Sequence, residues 1–208
     1  MIEILYAILG IIMAIILPVV IIVIIVVVSN SGSGISYNEY EQRKFGKYGE
    51  KKASLIIQKV LRDGDFLFSG VEISIGGRRT ELDNVIVNKY GVFIIEVKNY
   101  VGHIVGNEDD YEWKKTKVTD AGYIYEKTVK NPIKQVKRQI YLLSEYLDFY
   151  GEKVWVRGYA ILLHGNSPVR SEFILNCTED IDRVIHSRDR TLLSSNSVES
   201  IKNLLTEK

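Results

Sequence analysis

One cysteine in 208 residues leaves no partner for an internal disulfide and no cysteine-type metal cluster, and a lone Cys177 agrees with a reducing compartment. Histidine is almost as scarce. His103, His164 and His186 share no metal-ligand spacing, and His164, ending an apolar run, reads as structural. Phosphate-cradling glycine loops, dinucleotide fingerprints and serine-hydrolase elbows are absent, so nothing points to an ATP-driven motor. Net charge is also short, with 27 Lys and Arg against 26 Asp and Glu, or +1. The field of the whole chain therefore does not announce nucleic acid, and any such site must be local. No internal repeat is visible.

What the chain does have is one long apolar run. Residues 4 to 28 are almost all Ile, Val, Leu, Ala and Met, interrupted by Tyr6, Gly10 and Pro18. Such a run is long enough to cross a bilayer as one helix. It lacks the polar stripe of a core helix and the basic start and short apolar stretch of a signal peptide. Arg43, Lys44 and Lys47 outnumber Glu39 and Glu41 after it, and Lys51, Lys52 and Lys59 follow. The expectation is an uncleaved single-pass anchor over 1–29 in the cell membrane, with the lipid bilayer as a partner and the soluble part facing the cytoplasm. A Ser/Gly/Asn-rich linker over 30–42 and one soluble domain over 43–208 complete the expected organisation.

Within that domain, apolar spacing predicts a helix near 44–62, ended by Asp63-Gly64. Strands are expected at 66–75, 80–88 and 92–98, with Gly76-Gly77 and Asn88-Lys89-Tyr90-Gly91 as the returns. Two short strands, 102–106 and 111–114, are expected at the sheet's margin, and 115–130 is ambiguous. Asn131-Pro132 is a helix start, because Asn caps free backbone N–H groups and Pro fits the first helical position. Ile133, Val136, Ile140, Leu143 and Leu147 then give a helix over 132–149 one apolar face. A buried strand at 154–164, another at 173–177 and a helix at 197–205 follow. Together these imply an α/β fold with a mixed sheet flanked by helices.

Asp83, Glu96 and Lys98 lie in the apolar hairpin 81–99, a costly place for charge unless the three bind one another or a metal. Glu96 and Lys98 share a strand face. A two-residue loop at Lys89-Tyr90 sets Asp83 opposite Glu96; a three-residue loop with Gly91 in the left-handed region sets it opposite Val97, and a bulge must then bring the carboxylates together. Two opposed carboxylates suit Mg²⁺ or Mn²⁺, which would turn repulsion into binding, while Lys98 could place an attacking water. The plain alternative is a solvated edge on which Lys98 pairs with one acid.

G-K-Y-G-E at 46–50, E-L-D-N-V-I-V-N-K-Y-G-V-F-I-I-E-V-K-N-Y at 81–100, then G-H-I-V-G with Trp113, and N-P-I-K-Q at 131–135 occur in one order. That order resembles the NERD, or nuclease-related, domain, over roughly residues 43–150. The resemblance implies a restriction-endonuclease-like fold of the PD-(D/E)xK nuclease superfamily, preceded here by the expected transmembrane helix. It makes Asp83 the first acidic position, with Leu82 where proline is nominal, Glu96 the second and Lys98 the lysine. Glu50 matches an acid on the first helix that completes the metal shell or orients water, the alternative being an exposed helix charge. Gln135 matches the glutamine after N-P, bound to phosphate or water, against an ordinary surface glutamine.

Arg78, Arg79, Lys130, Lys134, Lys137 and Arg138 offer phosphate contacts without base readout, or are merely a solvated face. Tyr100 and Trp113 could stack on a base, but packing over the open sheet edge suits them better. The function expected from all this is a membrane-tethered, Mg²⁺- or Mn²⁺-dependent nuclease hydrolysing phosphodiester bonds in DNA or RNA. The alternative is a non-catalytic nucleic-acid- or protein-binding module with a nuclease-derived fold, and a purely structural anchor is a third reading. No protein partner is named by the residues.

Overall fold

The computed structural model describes Ile21 and residues 37–119, 122–188 and 192–206. Lys44–Lys208 forms one compact unit, and the contacts below belong to it. Helix α1 (Tyr37–Gln58) starts before the expected 44, because Tyr37 to Phe45 contains no glycine or proline to stop it. Strands β1 (Phe66–Ile75), β2 (Arg78–Asn88) and β3 (Gly91–Lys98) form an antiparallel meander. Next come β4 (His103–Val105), β5 (Glu112–Val118) and β6 (Ile124–Lys130). Helix α2 (Pro132–Phe149), β7 (Val156–Leu162), β8 (Ile174–Leu175), α3 (Thr178–Ile185) and α4 (Ser195–Thr206) complete the chain order.

The main sheet has the order β1-β2-β3-β7-β8, with β7 parallel to both β3 and β8. Strand alternation sends Val85, Val87, Val92 and Ile94 to one face, where Leu142, Leu143 and Leu147 of α2 and Ile201 of α4 bury them. Ile86, Phe93 and Ile95 face the other way onto Ile57 of α1 and Ile181 of α3. The result is a mixed sheet between helical layers, as expected. Strands β4, β5 and β6 do not extend its margin. They form a separate three-stranded antiparallel sheet, an arm whose root places Ile104 and Trp113 against Ile133, Val136, Ala160 and Leu162. Trp113 is fully buried and its indole N–H donates to the Asn107 carbonyl at 2.8 Å, so it packs and does not present a face for stacking.

Asn131 is the N-cap of α2, its Oδ1 accepting from the Ile133 amide at 2.9 Å. Its amide nitrogen donates to the Glu108 and Asp110 carbonyls at 2.9 and 2.7 Å, tying the β4–β5 loop to the helix start.

The expected membrane anchor is corrected. Among the described residues no helix is long and apolar enough to cross a membrane, and residues 4–28, apart from Ile21, lie outside the described residues. The longest described helices, α1 and α2, carry Lys47, Glu50, Lys51, Lys52 and Lys134, Lys137, Arg138, Glu145, charges that hydrocarbon would not accommodate. The transmembrane helix ahead of the domain, the bilayer as partner and the single-pass, cytoplasm-facing placement in the cell membrane have no described helix to carry them.

Candidate functional site

Lys89 and Tyr90 make a two-residue loop with Asn88 paired to Gly91, and the Asn88 side chain accepts from the Tyr90 amide at 2.8 Å. This is the first of the two registers considered above, and it brings Asp83 level with Glu96. The regular ladder nevertheless stops at Asn84–Ile95. Strands β1 and β2 both change face at this level: Phe66 and Phe68 share the α2-side core with Val71 and Ile73, and Leu82 shares it with Val85 and Val87. Gly70 lies between the two phases of β1 at φ 64°, a conformation that only glycine adopts without strain, and Asp83 lies between the two phases of β2. At that break Asp83 Oδ2 accepts from the Val97 amide at 2.7 Å, standing in for a ladder bond.

Glu96 is 1% exposed, and both its oxygens are engaged. Oε1 accepts from Lys98 Nζ at 2.5 Å and Oε2 from Gln139 Nε2 at 2.6 Å. Gln139 also donates to the Glu81 carbonyl at 3.1 Å, while its own Oε1 is buried without a partner among the described residues. Sequence reasoning missed Gln139, although a signal existed. It lies three residues after Val136 and four before Leu143, a polar side chain on the apolar stripe of α2.

Gln135, the glutamine expected at the site, sits one turn earlier, half-buried, with Oε1 unpaired among the described residues. It is Gln139 that bonds Glu96.

Glu50 reaches this neighbourhood through the G-K-Y-G-E segment. A side chain at Gly49 would put its Cβ 2.9 Å from Asn99 Cβ, so glycine is what lets α1 lie against the end of β3. Asn99 donates to the Phe45 carbonyl at 3.1 Å, and one turn after Glu50 the Ser54 hydroxyl donates to Asn84 Oδ1 at 2.7 Å. Burial raises the Glu50 pKa, Glu81 and Glu96 add to the rise, and Lys47 and Lys98 oppose it. Burial and then the Glu96 charge push Asp83 up to about 7, against the Val97 hydrogen bond and Lys98. Burial works against the Lys98 ammonium, but Glu96, Tyr100 and Asp83 outweigh it and its pKa is raised.

Asp83, Glu96 and Lys98 are thus brought together, with Glu50 within electrostatic range. Two buried carboxylates are donors of the kind Mg²⁺ or Mn²⁺ takes, so the residue types fit such an ion. Here, however, Lys98 supplies the positive charge beside Glu96. Among the described residues no group of three or more His, Cys, Asp or Glu side chains is placed to hold a metal. The expected membrane-tethered, metal-dependent nuclease is therefore corrected: no described helix carries the tether, no assembled metal site supports the cleavage, and the non-catalytic alternative is the better supported.

The basic residues expected on phosphate are dispersed and mostly paired. Arg78 bonds Glu145 at 2.6 Å and lies over the Tyr141 ring, and Arg79 bonds Glu72. Lys134 meets Asp109 at 3.2 Å and Lys137 meets Glu108 at 3.3 Å. Lys130 and Arg138 are exposed.

A curated relative, an uncharacterized protein of Bacillus anthracis (pXO1-01), is 32% identical over 69 residues, 33% of this chain. The match spans about a third of that relative, 32% of its length. No solved structure matches the chain. The model of the nuclease-related domain matches residues 45–163, more than half of the chain and all of the acid site. By that match the protein belongs to the NERD, or nuclease-related domain, family, consistent with the PD-(D/E)xK nuclease superfamily.

Proposed function

We propose that this chain is a nucleic-acid-binding module on a nuclease-derived fold, working without strand cleavage. The observation that carries the reading is the internal closure of Glu96 by Lys98 and Gln139. A buried carboxylate held by an ammonium and an amide is already neutralised and hydrogen-bonded. Attachment to nucleic acid draws its support from the family and from the basic side chains of the surface, whose exposed ion pairs cost little to exchange for phosphate.

The test is fluorescence anisotropy of the full chain with single- and double-stranded DNA and RNA, run beside gel analysis of the strands with and without Mg²⁺ or Mn²⁺. Binding that weakens with salt, with every strand intact, is the expected result. Failure to bind any of the four would overturn it.

A second reading, metal-dependent phosphodiester hydrolysis, is favoured by one observation. Glu50, Asp83, Glu96 and Lys98, from three elements, act on one another electrostatically. Asp83 and Glu96 would hold Mg²⁺ or Mn²⁺, which supplies Lewis acidity toward a phosphate. Lys98, released from Glu96, would then place its ammonium by the attacking water, with Glu50 and Gln135 in support. Cleavage by the wild-type chain that disappears in Asp83→Ala, with an unchanged melting curve, would select this reading over the first.

A further inference from the structure

The β4–β5–β6 arm separates its charges by face. On one face Glu112 pairs across to Lys130, and Thr116 to Glu126, so acids and bases alternate. The other face begins at the root with buried Ile104 and Trp113 and continues outward with Lys115, Lys117, Lys127 and Tyr125. Lys115 stands directly opposite Lys127, and Lys117 opposite Tyr125. Among the described residues of the three strands, no carboxylate shares this face.

Like charges set opposite each other on an antiparallel pair destabilise it. A merely solvated face would interleave acids, as the reverse side of the same arm does. Lys115 is also half-buried, and that burial, with the Lys127 and Lys117 charges, makes its ammonium easier to deprotonate. Tyr125 is 57% exposed, and Tyr123, just ahead of the strand, is exposed too. An aromatic ring beside cations, held open to solvent, is the combination that single-stranded nucleic acid uses: phosphates on the cations and a base on the ring.

The arm is also rooted beside the acid site. The Tyr100 hydroxyl donates to the Lys130 carbonyl at 3.1 Å, and Tyr100 lies within electrostatic range of Lys98, Glu96 and Asp83.

We infer that this face of the arm is a binding site for single-stranded nucleic acid, with backbone phosphates on Lys115 and Lys117 and a base stacked on Tyr125. The inference rests on the nucleic-acid reading above and names its surface. Lys115 and Lys117 are about 6.6 Å apart as alternate residues of one strand, so they would meet the backbone at separate points.

The experiment is anisotropy of the full chain with labelled oligo-dT over a salt series, comparing wild type with Lys115→Ala/Lys117→Ala and with Tyr125→Ala. The double variant is expected to bind roughly tenfold more weakly, and its log-affinity against log-salt slope to shrink by about 1.4 for two lost contacts. Tyr125→Ala should lose roughly tenfold. An abasic strand should bind wild type as weakly as oligo-dT binds Tyr125→Ala, and should not distinguish wild type from that variant. Thermal melts guard against misfolding, since removing the crowded lysines should leave the melting temperature equal or higher.

If wild type binds and the double variant binds equally well, the arm is not the site, while the broader reading stands. Loss with the double variant, but none with Tyr125→Ala or the abasic strand, would mark a generic polyanion surface and overturn the single-strand assignment. No binding by wild type would remove both proposals.

Discussion

Glu96 and Lys115 are both charged side chains on sheet strands, and the fold treats them in opposite ways. Glu96 is sealed between two layers, and Lys98 and Gln139 take up both its oxygens. Lys115 is half open to water and faces Lys127. The contrast separates two kinds of electrostatic arrangement. In the acid site the Lys98 charge answers that of Glu96, and the cost of breaking that pair is a cost to the fold. On the arm the lysines of one face repel one another, and the phosphates proposed above would complement Lys115 and Lys117.

The sharpest way to break the comparison is to remove half of the buried pair. Lys98→Ala leaves Glu96 desolvated with Asp83 and Glu50 nearby, and should cost about 3–5 kcal/mol in urea denaturation. Glu96→Gln combined with Lys98→Met should recover much of that loss. A double variant no better than the sum of its parts would show that the pair is not coupled.

A pH series on Asp83→Asn comes next. With its folded pKa pushed to about 7, above the ordinary carboxyl value of about 3.9, the native state holds a proton that the unfolded chain releases. Asp83 therefore favours the fold most below pH 4, and its contribution falls as pH rises through 7. Asp83→Asn keeps an oxygen for the Val97 amide and should stabilise the protein by about 2 kcal/mol at pH 8, a gain that disappears toward pH 4. Melting temperatures across that range would test it, and a gain independent of pH would count against the shift.

Asn131→Ala removes a cap and should cost about 1–2 kcal/mol by chemical denaturation. The smallest effect is expected on the arm, where Lys115→Gln relieves the cross-strand repulsion and should raise stability by a few tenths of a kcal/mol, roughly 0.2–1. A loss there would mean that Lys115 serves the fold and not a ligand.

Much of the main sheet was legible because its signals are local. The strand expected at 66–75 and the helix at 132–149 coincide with β1 and α2, one read from its apolar content between turn residues, the other from Asn131-Pro132 and the Ile133–Leu147 spacing. The arm was legible only in part: the short strands expected at 102–106 and 111–114 fall on β4 and the start of β5, but β6 and the separate sheet did not show. Both its faces carry polar residues, so 115–130 has no buried side to betray a strand, and pairing partners cannot be read from periodicity. The eight-residue helix α3 was missed because so short a segment offers barely two turns of apolar spacing. At the site, Asp83, Glu96 and Lys98 stood out as charges in apolar strands. Gln139 was overshadowed by Gln135, since the N-P motif drew attention to the helix start and away from the side that it buries.

Asn131 joins elements that strand and helix labels keep apart. One side chain holds the first turn of α2 and the carbonyls of the loop from which β5 departs. For the loop to detach, the helix start must lose its cap in the same event, so the root of the arm and the N-terminal turn of α2 should open as one cooperative unit. Amide hydrogen exchange at Asp110 and Ile133 should then slow and quicken together, and Asn131→Ala should uncouple them.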